Sequence, residues 1–162
     1  MTPHLVVVGG GPGGYVAALR AAQLGARVSV VEPRGLGGTC LHRGCIPTKA
    51  LIASAAVFST VRRAAEVGVR LASEAAIDLA QVVARKNRIV EAQARGIEHL
   101  FKAARIALIR GYGALDSPRS VRVRFDDGST QALSCDGIIV ATGSEPAKPA
   151  LFPFDGKRVL TS

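Results

Sequence analysis

The run HLVVV at residues 4 to 8 is apolar, rich in β-branched residues and closed by glycines. That pattern predicts a short buried strand. Residues 13 to 24 place Val16, Leu19, Ala22 and Leu24 at helical spacing, with Gly25 as the stop. Residues 27 to 32, RVSVVE, predict a second strand. A strand, a short helix and a strand in this order make the two strands parallel neighbours. Residues 33 to 38 read as a Gly/Pro loop. From about Thr39 a helical pattern runs into the mid-sixties through Leu51, Ile52, Ala55, Val57, Phe58 and Val61. After a loop at 67 to 73, residues 77 to 105 predict a long amphipathic helix carrying Ile77, Val82, Ile89, Ile97 and Leu100, with Gly96 as a weak point. Residues 106 to 109 predict a further strand, closed by Gly111-Tyr112-Gly113. VRVRF at 121 to 125 and TQALSC at 130 to 135 alternate, and Asp127-Gly128 between them marks a hairpin turn. GIIVATGS at 137 to 144 predicts a last buried strand, and Pro146 and Pro149 break the order beyond it.

Composition narrows the class. A chain of 162 residues is one domain's worth. Aromatics are only 4%, so Val, Leu, Ile and Ala must build the core. No apolar run is expected to reach a membrane span, and no membrane partner is expected. The N-terminus shows neither a charged n-region nor a cleavage site, so a cytoplasmic location is expected. The net charge of +9 comes from scattered Lys and Arg with acids such as Glu66, Glu91 and Glu98 between them. No basic block interleaves with aromatics, so nucleic acid is not an expected partner. The positive field suits anionic ligands.

Residues 9 to 14, GGGPGG, satisfy G-x-G-x-x-G through Gly9, Gly11 and Gly14. Pro12 and Gly13 complete the turn. The context is what gives the motif weight: a strand before it, a helix after it, and Glu32 closing the next strand. Gly9 permits the tight turn, Gly11 lets backbone approach a pyrophosphate, and Gly14 lets the helix lie close to the strand. The N–H groups at the helix start favour a diphosphate, and Glu32 is placed to accept hydrogen bonds from an adenosine ribose. The turn specifies a dinucleotide without choosing between NAD and FAD.

Cys40 and Cys45 lie in GGTCLHRGCIPTK at 37 to 49. In a regular helix, residues five apart have Cα atoms about 8 to 9 Å apart, whereas a disulfide needs less than about 7 Å. Pro47 cannot donate to the carbonyl of Arg43, and Gly44 loosens the backbone before Cys45, so an irregular turn between the cysteines is expected. Such a turn permits a bridge, and a strained bridge is easily reduced. Zinc could use Cys40, His42 and Cys45, but a structural site wants four ligands, and no metal is expected. Two core cysteines would leave the glycines and proline without a reason. A redox pair beside a dinucleotide is the most economical of the three readings.

The segment Gly37-Gly38-Thr39-Cys40-x4-Cys45-Ile46-Pro47-Thr48-Lys49 resembles the redox-active segment of the flavin-dependent disulfide reductases. Its Cys-Ile-Pro-Thr-Lys variant is most similar to the dihydrolipoamide dehydrogenase branch, with glutathione and mercuric reductases as near relatives. The resemblance extends to residues 9 to 25, Gly111-Tyr112-Gly113 and residues 138 to 144. It implies an α/β fold of Rossmann type: a parallel sheet, helices on both faces, and a small antiparallel meander. Residues 1 to 150 would form the FAD-binding domain and 151 to 162 the start of a linker toward an NAD-binding domain. The dinucleotide would be FAD, with NAD⁺ as the family's electron acceptor.

By the same resemblance, the Gly9 to Gly14 turn holds the pyrophosphate and Glu32 the ribose. Residues 33 to 40, including Pro33, Arg34, Gly37, Gly38, Thr39 and Cys40, wrap the cofactor. Gly113 offers backbone on the adenine side, where a side chain would clash. Thr142, Gly143 and Ser144 line the cofactor, and Lys49 sits on the cysteine-flavin side. Cys40 would be the interchange thiol and Cys45 the flavin-proximal one, carrying electrons from a lipoyl dithiol to FAD and on to NAD⁺. Cys135 matches no family role and reads as a packing residue. Arg43 departs from the small apolar residue usual at its position. The full-length family forms homodimers, and a 2-oxo acid dehydrogenase complex is an implied partner. Family chains are roughly three times as long, consistent with several domains. The family's second glycine-rich turn, its return segment to the flavin and its His-Glu acid/base pair have no counterpart here; His4, His42 and His99 do not match that pair. The isolated chain is therefore expected to retain FAD weakly and not to reduce NAD⁺. The alternative is a module that binds FAD and cycles a disulfide without turnover.

Overall fold

The computed structural model describes residues 2 to 161. Strand β1 (His4–Val8), helix α1 (Pro12–Gln23) and strand β2 (Arg27–Val31) form the expected parallel unit. Helices α2 (Gly38–His42), α3 (Cys45–Arg62) and α4 (Leu79–Ala103) follow, with a 3-10 turn at Ala64–Val67. The remaining elements are strands β3 (Ala107–Ile109), β4 (Tyr112–Ser117), β5 (Ser120–Arg124), β6 (Thr130–Ser134) and β7 (Gly137–Val140). One sheet has the order β3-β2-β1-β7, all parallel; the other is the antiparallel meander β4-β5-β6.

Period-two alternation divides the core. Val7, Val28 and Val30 face α1 and α4, meeting Ala18, Ala21 and Phe101. Val6, Val8 and Val31 face the meander, meeting Val121, Val123 and Cys135. The helices are therefore not shared between both faces as expected. The apolar side of β5 covers the second face, and a helix has no room there. Cys135 sits in that core as a packing residue. Its thiol is pushed up, first by burial.

Three further expectations need correction. The helix expected from Thr39 onward is two helices, broken at Arg43 and Gly44. The last strand ends at Val140, and residues 141 to 149 have no regular structure. Strand β4 was not foreseen, because YGALDS has no clean alternation and its pairing shifts register between Leu115 and Ser117. The long helix holds across Gly96, and the Asp78 carboxylate caps it by accepting from the Gln81 N–H at 3.0 Å. The stretch Gly38–Arg62 does have the length and mean hydropathy (1.4) of a membrane-crossing helix, contrary to expectation. In the fold it is interrupted at Gly44 and flanked by α4, whose Arg85 donates to the Ala50 carbonyl at 3.0 Å.

His4 bolts the two sheets together. Its Nδ1 lies 2.8 Å from the Ser134 carbonyl, so that nitrogen carries the hydrogen. Nε2, 2.9 Å from the Ser29 hydroxyl, then accepts. His4→Phe keeps the bulk but strands the Ser29 hydroxyl and the Ser134 carbonyl. It should lower stability by about 1 to 3 kcal/mol, read as a lower urea midpoint with an unchanged slope.

Candidate functional site

The C-terminal ends of β1, β2 and β7 open onto a cleft of about 470 Å³. Backbone convergence shapes it. A Cβ on Gly14 would run into the Gly9 carbonyl, and one on Gly9 into the Ala141 carbonyl. A Cβ on Gly38 would lie 2.7 Å from the Gly11 Cα. The starts of α1 and α2 therefore meet at one point. Gly11 caps α1 without a side-chain hydrogen bond, and no acid stands in its first turn. Pro12 occupies the opening of the helix, where its missing N–H has no intrahelical role. The N–H groups that follow are left for an anion.

Glu32 staples the walls of the cleft. Its Oε2 accepts from the Gly10 N–H at 2.7 Å. Its Oε1 accepts from the N–H groups of Arg34 at 2.8 Å and Gly35 at 3.3 Å. A carboxylate held this way still has lone pairs for a ribose hydroxyl. At the rim, Glu145 accepts from Arg34 Nη1 at 2.8 Å and from Arg43 Nη2 at 3.3 Å. The two guanidiniums, Arg34 first, hold the Glu145 carboxyl below its usual range. Arg43 thus points at the rim rather than serving the thiols.

Of the expected residues, Gly9, Gly11, Glu32, Pro33, Arg34, Gly38, Thr39, Thr142, Gly143 and Ser144 line the cleft. Pro12, Gly13, Gly14 and Gly37 are not among the lining residues. Cys40, Cys45 and Lys49 stand beside it on α2 and α3. Gly113 does not line the cleft but lies against the core. A Cβ there would approach Val8 at 2.9 Å, Val31 at 3.3 Å and Val121 at 3.5 Å, so core valines occupy the room. Sequence reasoning missed His42, Arg43, Tyr112, Ala141 and Glu145 as lining residues. Only Tyr112 left a signal, standing between two glycines at the end of a strand.

The break between α2 and α3 brings the two thiols together. Pro47 is the third residue of α3, where a missing N–H leaves no helical bond unmade. Gly44 has φ −132° and ψ −109°, which turns the chain between the helices. Cys40 is half-buried, Cys45 exposed, and both are free thiols. A hydrogen bond with Cys45, then burial, pushes the Cys40 thiol above its ordinary 9.0, and the Lys49 ammonium opposes the rise.

The fold and this cleft define a dinucleotide-binding α/β domain with a dithiol at its side. Residues 3–161 match the family model described as pyridine nucleotide-disulphide oxidoreductase, and the chain belongs to that family. The dihydrolipoyl dehydrogenase of Chlorobaculum parvum is 44% identical over 98% of this chain and 34% of its own length. That of Bacillus subtilis is 43% identical over 98% and 35%. The crystal structure of LpdA from Mycobacterium tuberculosis superposes with a TM-score of 0.85 at 29% identity, covering 98% of this chain and 36% of that one. The chain spans about a third of the length of these relatives.

The thiolate is the form that reacts with alkylating agents. A raised pKa moves the rise of alkylation to higher pH. Cys45→Ala removes the main cause of the shift at Cys40. Its alkylation profile with iodoacetamide, followed by mass spectrometry, should move to lower pH and its rate at neutral pH should increase.

Proposed function

We propose that this chain is the FAD-binding, dithiol-bearing part of a dihydrolipoyl dehydrogenase, acting on a lipoyl dithiol with NAD⁺ as final acceptor. The observation that carries the reading is one juxtaposition: a diphosphate cradle at Gly11 and Gly38, a ribose acceptor at Glu32, and the Cys40 and Cys45 thiols on the helices that border them. The cradle fits the group. Two uncapped helix starts meet where the diphosphate would lie, with Thr39 in the first turn of α2.

FAD, when bound, accepts an electron pair from a dithiol and passes it to a nicotinamide. The residues of this chain do the rest. In the oxidised form Cys40 and Cys45 share a disulfide. A substrate thiolate attacks the Cys40 sulfur and releases Cys45 as thiolate. The second substrate thiol then displaces Cys40, and the substrate leaves as a disulfide. The bridge has gained two electrons and the protons of the dithiol. The Lys49 ammonium favours the thiolate that each exchange requires, since it opposes the raised Cys40 pKa. This reading goes with a reducing, cytoplasmic setting, with a homodimer in the full-length enzyme, and with service to a 2-oxo acid dehydrogenase complex.

The test uses the 162-residue chain with FAD in excess and dihydrolipoamide as reductant. The flavin colour should bleach faster than with FAD alone, without NADH forming when NAD⁺ is added. Cys40→Ser should bind FAD equally and lose the acceleration. Acceleration that survives in Cys40→Ser would sink the reading.

A further inference from the structure

His42 stands between the two cysteines in the chain, and neither the cradle nor the dithiol chemistry accounts for it. Its Nε2 lies 2.9 Å from the Leu36 carbonyl, so that nitrogen carries the hydrogen and donates. Leu36 is a fixed point. Its side chain is 1% exposed and belongs to the core cluster of Val7, Val28 and Val30. The next residue, Gly37, donates its N–H to the Gly10 carbonyl at 2.8 Å. The bond from His42 therefore ties the cysteine segment to the phosphate-binding turn.

Helix α2 needs such a tie. It has five residues, too few to hold an orientation without outside contacts. The buried Leu41 side chain anchors it on one side. A single anchor leaves the helix free to roll about that contact. Successive residues stand about 100° apart around a helix axis, so Cys40 and His42 flank Leu41 on opposite sides. A bond at His42 fixes the roll, and the roll sets where the Cys40 sulfur points. Cys45 is carried by a different helix, α3, beyond the turn at Gly44. The hydrogen bond between the two thiols is directional, so it depends on how the two helices are turned toward each other. Arg43 gives the same turn a second contact, to Glu145, but that pair is exposed on both sides and holds weakly.

We infer that His42 is the positioning residue of the dithiol: by donating to the Leu36 carbonyl it holds α2 in the roll that presents the Cys40 sulfur to Cys45. The inference rests on the dithiol reading above and adds the group that sets its geometry. The contact is one N–H donor at one reach. A Gln side chain offers an amide N–H at that reach, whereas Phe keeps a ring without a donor.

The test equilibrates the 162-residue chain against dithiothreitol redox buffers. Closing the bridge takes two electrons and two protons from Cys40 and Cys45 and passes them to oxidised dithiothreitol, which opens to its dithiol. Alkylation and mass spectrometry, read peptide by peptide, give the bridged fraction, and circular dichroism confirms that each variant is folded. His42→Phe and His42→Ala should each lower the equilibrium constant for bridge formation about fivefold, because a rolling helix lowers the effective concentration of one thiol at the other. In both, the Cys40 alkylation profile should move to lower pH, as the hydrogen bond with Cys45 is lost. His42→Gln should stay within about twofold of the wild type, since its amide donates the same bond. An unchanged equilibrium constant in His42→Phe and His42→Ala would overturn the positioning role and leave the dithiol reading standing. So would an equal fall in His42→Gln. A wild-type chain that forms no Cys40–Cys45 bridge in the most oxidising buffer would overturn both.

Discussion

Backbone segments that leave no space for a Cβ hold the working edge of this domain together. Gly14 lies against the Gly9 carbonyl, Gly9 against the Ala141 carbonyl, and Gly38 against Gly11. Because α1 can approach β1 and β7 so closely, its N-terminus ends at the sheet edge. Because the next loop can cross Gly11, α2 starts at the same point. The Glu32 carboxylate then reaches both sides, from Gly10 to Arg34 and Gly35. A methyl group at any of these crossings would separate the parts that form the cleft.

The dithiol follows from a different local rule. A helix that ran on through residues 40 to 45 would keep the sulfurs apart. Gly44 ends one helix and Pro47 is tolerated only because it falls in the first turn of the next. The thiols meet across that break. Arg43, which the same break carries outward, is drawn to Glu145 together with Arg34. Its charge ties the cysteine loop to the rim segment after β7. Exposed pairs of this kind add little stability.

Much of the site was legible from residue types at short spacing. The glycine turn, Glu32 and the cysteine pair with its proline belong to local patterns whose chemistry demands them, and Thr142 to Ser144 followed from the family resemblance. Glu145 carried no such sign, because its partners are 111 and 102 residues away in the chain. Gly113 was recognisable as a glycine that needs space, but the three valines that fill that space come from three different strands. Strand β4 lacks alternation and exists because β5 pairs with it.

The sequence by itself determined the parallel β1-α1-β2 unit, the phosphate-binding turn, the hairpin at Asp127-Gly128 and the irregular turn between the cysteines. Hydrophobic period, glycine placement and proline chemistry act within a few residues and can be read there. Only the tertiary structure decided that the meander rather than a helix covers the second face of the sheet. It alone placed His4 between two sheets, Tyr112 on the wall of the cleft, and Glu145 between two arginines. Those outcomes depend on which apolar faces meet and in what register. Such pairings form between segments distant in the chain, so no local pattern records them.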